Sequence, residues 1–384
     1  MMTKTNTQNS PMPFHDMPKA AAHKLKPRNG KICASIEEAV RRAGLKDGMT
    51  ISFHHAFRNG DLTLNQVMDV IASMGVKNLT LASSSLATCH APLAEHIRSG
   101  VVSRLYTSGL RGDLAEEISR GLLKEPVQVH SHGGRAHLVQ TGELHIDVAF
   151  LAVSRCDEYG NANGHSGKSI CGSLGYAMVD AQYADKVALI AEEVMPYPFM
   201  PASLHQDQVD FIVPVKQVGD PDKIGAGSTR MTSNPRELLI AQKAAEVIAH
   251  SGYFRPGFSM QTGSGGASLA VVRFLADKMQ RGNIHADFML GGITASIVGL
   301  HEKGLVGALM DVQSFDRAAA ESLDRNPHHY EISANQYACP TSKGACVDRL
   351  DIVVLSALEV DTGFNVNVLT GSDGVLRGAI GGHS

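Results

Sequence analysis

Short aliphatic runs alternate along this chain with stretches of helical period, and that alternation predicts its elements. Thr50-Ile-Ser-Phe53, Asn78 to Ala82, Val127 to His130, Val148 to Val153 and Val187 to Ile190 read as strands. Leu62 to Met74 and Leu114 to Leu123 read as the helices between them. A shorter helix is expected over Ser35 to Gly44, where Ser35 stands three residues before Glu38 as a capping box and Gly44 is the stop. The pattern then recurs, with a helix from Asn234-Pro-Arg-Glu to Ala249, a strand at Ser259 to Thr262, a helix from Ala267 to Lys278 and a buried strand from Ile352 to Leu358. Alternation of this kind argues for α/β architecture with mainly parallel sheets.

The recurrence is a tandem duplication. Asp147-Val-Ala-Phe-Leu-Ala-Val153 leads to Asp157, Asn161 and Asn163, and 204 residues later Asp351-Ile-Val-Val-Leu-Ser-Ala357 leads to Asp361, Asn365 and Asn367. His96 and Gly100 are echoed by His301 and Gly304, and Lys46-Asp-Gly48 by Arg255-Pro-Gly257. Self-similarity at a long period has to be read before any motif. It gives a polar tail over residues 1–30, a first domain over 31–222 and a second over 223–384. Adding the offset to the first junction places the end of the second copy near about position 424, so the second copy is expected to be incomplete and the chain to be a fragment. A continuous reading frame beyond Ser384 would support this.

Composition narrows the class. Net charge of −3 with 35 basic and 38 acidic residues offers no basic stripe for nucleic acid or a membrane surface. The aliphatic runs are too short to span a bilayer, and the first 30 residues lack the apolar core of a signal peptide. A cytoplasmic protein is expected. Six cysteines without a C-x-x-C pair read as reduced thiols.

In open parallel sheets a ligand sits beyond the carboxyl ends of the strands, which selects the loops at His54-His55, Ala82 to Ser85 with Ser84, His130-Ser-His132, Gly263 to Gly266 and Gly291-Gly292. The Gly263-Ser-Gly265-Gly266 loop lies between a strand and a helix, where N–H groups can meet an anion. It is not G-x-G-x-x-G, because Ser268 holds the sixth place. Ala162-Asn-Gly-His-Ser-Gly-Lys-Ser169 lacks the first glycine of a P-loop, His301-Glu302 lacks the second histidine of a zinc helix, and there is no G-x-S-x-G elbow. His130 and His132 would share one face of a strand, but with no carboxylate or cysteine partner nearby no metal is expected. Arg58, Arg135 and Arg230 stand beside these loops, and a guanidinium is a natural grip for a polycarboxylate.

Several long strings, in order, resemble the alpha subunits of ATP-independent citrate lyase. They are Ser52-Phe-His-His-Ala-Phe-Arg58, Leu81-Ala-Ser-Ser-Ser-Leu86, His130-Ser-His-Gly-Gly-Arg135, Met260-Gln-Thr-Gly-Ser-Gly-Gly-Ala-Ser-Leu-Ala270 and Leu369-Thr-Gly-Ser-Asp-Gly-Val-Leu-Arg-Gly378. The resemblance implies duplicated CoA-transferase-like domains and a transferase that exchanges acetate for citrate on an acyl carrier thioester. It further implies a gamma subunit, the acyl carrier protein, bearing a phosphoribosyl-dephospho-CoA prosthetic group, with CoA thioesters as analogues. A beta subunit would cleave the citryl thioester to oxaloacetate, and an oligomer is expected. Ordinary CoA-transferases carry a nucleophilic glutamate in the segment matching Asp287 to Gly292, where this chain has Phe288, so direct transfer without a glutamyl thioester is expected.

Residue roles follow from loop position and side-chain chemistry. Gly265 and Gly266 are expected to supply oxyanion N–H groups, and Gly263, Gly265, Gly266, Gly291 and Gly292 to lie along the pantetheine arm. His54, His55, Ser84, His132 and Arg230 are expected to bind citrate. Two alternatives remain open at this point: a CoA-transferase for another carboxylate, and a non-catalytic module that binds a small anion.

Overall fold

The structure, a computed structural model, describes residues 30–225, 231–263 and 265–382. Its first sheet contains β1 (Thr50–Phe53), β2 (Leu79–Ser83), β3 (Val102–Thr107), β4 (Gln128–Val129), β5 (Val148–Asp157), β6 (Ala162–Asn163), β7 (Lys186–Met195) and β8 (Phe211–Pro214). The order is β4-β3-β2-β1-β5-β7-β8, all parallel, with β6 antiparallel on β5. A second parallel sheet contains β9 (Phe258–Thr262), β10 (Ala286–Ile293), β11 (Val306–Ser314), β12 (His329–Glu331) and β13 (Ile352–Val354), in the order β12-β11-β10-β9-β13. This matches the first five places of sheet one, strand for strand. A hairpin of β14 (Glu359–Val360) and β15 (Val366–Asn367) follows.

The duplication extends to single hydrogen bonds. Asp147 accepts from the Thr50 N–H at 2.7 Å, and Asp351 from the Ser259 N–H at 3.0 Å, so each carboxylate sits at the foot of two neighbouring strands. In both hairpins an asparagine four residues on donates its side-chain amide back to the aspartate, Asn161 to Asp157 and Asn365 to Asp361, each at 2.8 Å. Arg155 pairs with Asn163 and Glu359 with Asn367, again 204 apart.

Half of the capping box expected at Ser35 forms, while Glu38 Oε2 accepts from the Ala34 N–H at 2.7 Å rather than from that of Ser35. Ser35 Oγ accepts from the Glu38 N–H, and the Ile36–Ala43 helix ends at Gly44 in the left-handed region. Two expectations need correction. The helix expected to reach Leu123 spans Asp113–Ser119, because Arg120 and Gly121 close it with turn bonds. The strand expected over Ile352 to Leu358 is three residues long and only half buried: β13 lies at the sheet edge, and Val353 is 48% exposed there.

One apolar core runs between the halves. Leu290, Val312, Ile332, Tyr337 and Ala338 pack into the same cluster as Phe53, Phe150 and Leu151 of the first sheet. Among the described residues no helix is long and apolar enough to cross a membrane.

Candidate active site

Strand ends of both sheets open into one cleft of about 690 Å³. From the first half come His55, Arg58 and Asn59 after β1, Ser85 to Thr88 after β2, Arg111 after β3 and His132 after β4. Gln261 to Gly263, Gly265 and Gly266 enter from β9, Gly292 and Phe315 from β10 and β11, and Leu355 to Leu358 after β13. Residues 376–382 close one side by returning to the first half, where the Ile380 N–H donates to Ser108 O and the His132 N–H to Gly381 O.

Of the two adjacent histidines, only His55 faces the cleft. His54 is held behind it, Nε2 to Ala152 O at 2.8 Å and Nδ1 accepting from the Ala56 N–H. Its ring is thus used by the backbone and does not line the site expected for it. Ser84 is fully buried, and its hydroxyl bonds His55 Nδ1 at 2.5 Å, so it orients His55 rather than facing a ligand. The His55 and His132 rings lie 5.6 Å apart, with Tyr176 4.7 Å from each. His132 and His130 do not share a strand face. His132 begins the His132–Thr141 helix, while His130 packs on Tyr106.

Burial holds both cleft histidines neutral, helped for His132 by Arg135 and Arg58 and for His55 by the charges of Arg58 and Arg135. His132 is pushed down to about 3, and His55 well below its ordinary value. In the unfolded chain both would bind a proton near pH 6.5. The unfolded state therefore takes up protons first as pH falls, so stability is present above that value and is lost on acidification. Each histidine should remove up to about 1.4 kcal/mol per pH unit below about 6.5. The urea midpoint should fall between about pH 7 and 5, and fall less in His132→Gln; equal slopes would remove this account.

Arg58 is the best-placed cation. Its guanidinium lies over the Phe315 ring at 4.3 Å, and burial with the nearby Arg111 draws it down to about 10, still charged at neutral pH. Among the described residues neither Arg58 nor Arg111 has a carboxylate partner. Arg377 is paired with Asp373, Nη2 donating to Oδ2 at 2.6 Å. Arg135 lies outside the cleft in a buried bidentate pair with Asp180. Arg230 lies outside the described residues.

The glycine loop divides its duties. The Gly263 N–H donates to Val354 O at 2.8 Å and is tied to β13. Gly265 and Gly266, at the start of the Gly266–Gly282 helix, have N–H groups with no acceptor among the described residues, and both line the cleft. Gly292 also lines it, and a Cβ there would stand 2.1 Å from the Phe315 ring, so its bareness is what lets Phe315 reach Arg58. Gly291 does not line the cleft. The P-loop-like segment is structural too, with Ser169 Oγ donating to Glu192 at 2.6 Å. His145, Asp147 and Asp185 gather ligand-type atoms within 4.8 Å of one another, but at the opposite ends of the strands.

Arg111, Tyr176, Gln261, Phe315 and Tyr337 line the site without having been singled out from sequence. For Gln261 a signal existed, since it stands two residues before the glycine loop; Tyr176 and Tyr337 arrive from distant helices and left none.

Residues 29–384 match the family profile described as citrate lyase, alpha subunit (CitF). The chain belongs to the citrate lyase alpha subunit family. It is 72% identical over 370 residues to the citrate lyase alpha chain of Escherichia coli, covering 96% of this chain and 72% of that one. Among solved structures, the citrate lyase alpha subunit of Streptococcus mutans, determined in complex with citrate, is 56% identical with a TM-score of 0.91, covering 94% of this chain and 71% of that one. The malonate decarboxylase alpha subunit of Acinetobacter baumannii, at 16% identity and a TM-score of 0.68 over 95% of this chain and 66% of that one, shares the fold.

Proposed function

We propose that this citrate lyase alpha chain exchanges the acyl group on a carrier thioester, converting acetyl carrier and citrate to citryl carrier and acetate. One observation carries the reading. The cleft sets the guanidiniums of Arg58 and Arg111, which have no salt-bridge partner among the described residues, together with the Gly265 and Gly266 N–H groups, which have no acceptor among them, and no Asp, Glu or Cys is among its described lining residues. Such a site favours polyanions and a developing oxyanion.

The chemistry follows from those groups. A citrate carboxylate oxygen attacks the acetyl thioester carbon, and the carbonyl π pair moves to oxygen, where the Gly265 and Gly266 N–H groups meet it. Collapse expels the thiolate and leaves an acetyl–citryl anhydride. The thiolate then attacks the citryl carbonyl, a second oxyanion forms, and acetate leaves. Charge balances without a proton transfer, so neutral His55 and His132 are free to hydrogen-bond citrate. With no carboxylate nucleophile among the described lining residues, transfer is direct.

The thiol arm is a phosphoribosyl-dephospho-CoA group carried by the gamma subunit and reaches this chain as substrate. Leu355, Leu358 and Val368 give the cleft an apolar wall that fits an extended arm. A beta subunit consumes the citryl product, the complex works in the cytoplasm, and the chain divides into domains over 31–222 and 223–384, a reading that the two sheets support.

Mixing the assembled complex with acetyl-loaded carrier and isotopically labelled citrate should yield labelled citryl thioester and free acetate by mass spectrometry. Labelled citrate left untouched by a folded complex would sink the reading.

A further inference from the structure

Gln261 sits at the end of β9, 4% exposed, on the wall of the cleft. Its Oε1 accepts a hydrogen bond from the Tyr337 hydroxyl at 2.9 Å. Tyr337 is itself buried, and burial raises it to about 12, so the phenol keeps its proton. No other acceptor for that hydroxyl is found among the described residues. Because a buried O–H left without a partner is costly, the amide is fixed with its oxygen toward Tyr337. Its NH2 then faces the other way. Gln261 Nε2 has no acceptor among the described residues and lies beside Gly382, where an added Cβ would come within 2.7 Å of it.

The neighbouring strand β10 preserves this arrangement, placing Leu290 opposite Gln261. Gly291 holds φ +97°, and a Cβ there would press within 3.2 Å of Gln261 Cδ and Oε1. Gly291, expected to serve the pantetheine arm, thus makes room for the Gln261 amide instead.

We infer that the Gln261 amide is a side-chain donor to the oxyanion in the cleft, acting with the Gly265 and Gly266 N–H groups, and that Tyr337 is its positioning residue. This rests on the acyl-exchange reading above. In each half of the exchange the carbonyl π pair moves to oxygen as the new C–O or C–S bond forms, and it returns as thiolate or acetate departs. A donor already oriented by a buried phenol needs no rearrangement at that moment.

The test uses the assembled complex, acetyl-loaded carrier and citrate, with thermal unfolding followed in parallel. Gln261→Met keeps the length of the side chain and removes the donor, and should lower kcat on the order of 10²-fold while the citrate KM stays within about threefold. Tyr337→Phe keeps the packing and frees the amide to turn, and should lower kcat roughly tenfold at unchanged KM. Wild-type kcat in a folded Gln261→Met complex, or a loss confined to KM, would overturn the assignment. If Gln261→Met fails to fold, Tyr337→Phe decides by the same criteria. A wild-type complex that transfers nothing would overturn the exchange reading and this assignment with it, whereas an active wild type with unaffected variants removes this assignment alone.

Discussion

Replacing Asp180 with alanine is expected to destabilise the first half of the molecule by about 3–5 kcal/mol. Asp180 accepts from both terminal nitrogens of Arg135, at 2.7 and 2.9 Å, and the two side chains are 0% and 3% exposed. Arg135 also donates to Ala82 O at 2.8 Å, and its Nε is buried with no partner. Removing the carboxylate would strand a charged guanidinium with one carbonyl for company, where no water can replace the lost bonds. Replacing both residues, Arg135→Met with Asp180→Leu, should cost much less, because it removes the buried charge together with its partner. Urea unfolding followed by circular dichroism separates the two cases. A single mutant within about 1 kcal/mol of wild type would show that water or a rearranged side chain reaches Arg135.

Arg58→Gly should reduce kcat/KM for citrate by roughly 10³-fold, in the range found when one member of a desolvated charge pair is removed, without loss of fold. The argument for retained fold is local. Arg58 stands at φ +53°, the left-handed region that glycine adopts without strain, so relief there offsets the greater freedom of the unfolded glycine. The rest of the turn is held without the Arg58 side chain: Asn59 Oδ1 accepts from the Cys89 N–H at 3.1 Å, and His90 bonds Asp61 at 3.0 Å. The guanidinium over Phe315 is therefore free to serve the ligand. Arg58→Lys should recover part of the activity, since a point charge replaces a planar fork. Steady-state transfer assays beside melting curves test this, and wild-type kcat/KM in Arg58→Gly would remove Arg58 from citrate binding.

Much of the architecture was legible in the chain because it is set locally. The 204-residue echo announced two copies of one α/β unit, although β3, β10, β11 and β12 were not read from it, and Ser35, Gly44 and Asn234 marked helix ends where side-chain caps and a left-handed residue form. The site was legible as a set of loops, since strand ends of a parallel sheet gather at one edge. Which residue of each loop turns inward was not. His54 and His55 are neighbours of one chemical type, and only the distant Ala152 carbonyl and Ser84 hydroxyl separate a structural imidazole from a cleft-facing one. Arg135 and Arg58 looked alike for the same reason until Asp180 and Phe315 were placed. Gln261 acquires its orientation from Tyr337, 76 residues away; no local pattern encodes that.

The loops after β1 and β9, equivalent strands of the two copies, meet across one cleft with opposite characters. One brings Arg58 and His55, the other bare N–H groups and an amide. Two identical subunits related by a dyad would have to present the same loop twice, so two guanidiniums would face each other with nothing opposite them to receive a developing negative charge. Joining the copies in one polypeptide breaks that symmetry. Each loop could then specialise, one in gripping the substrate and the other in meeting the charge that the reaction creates.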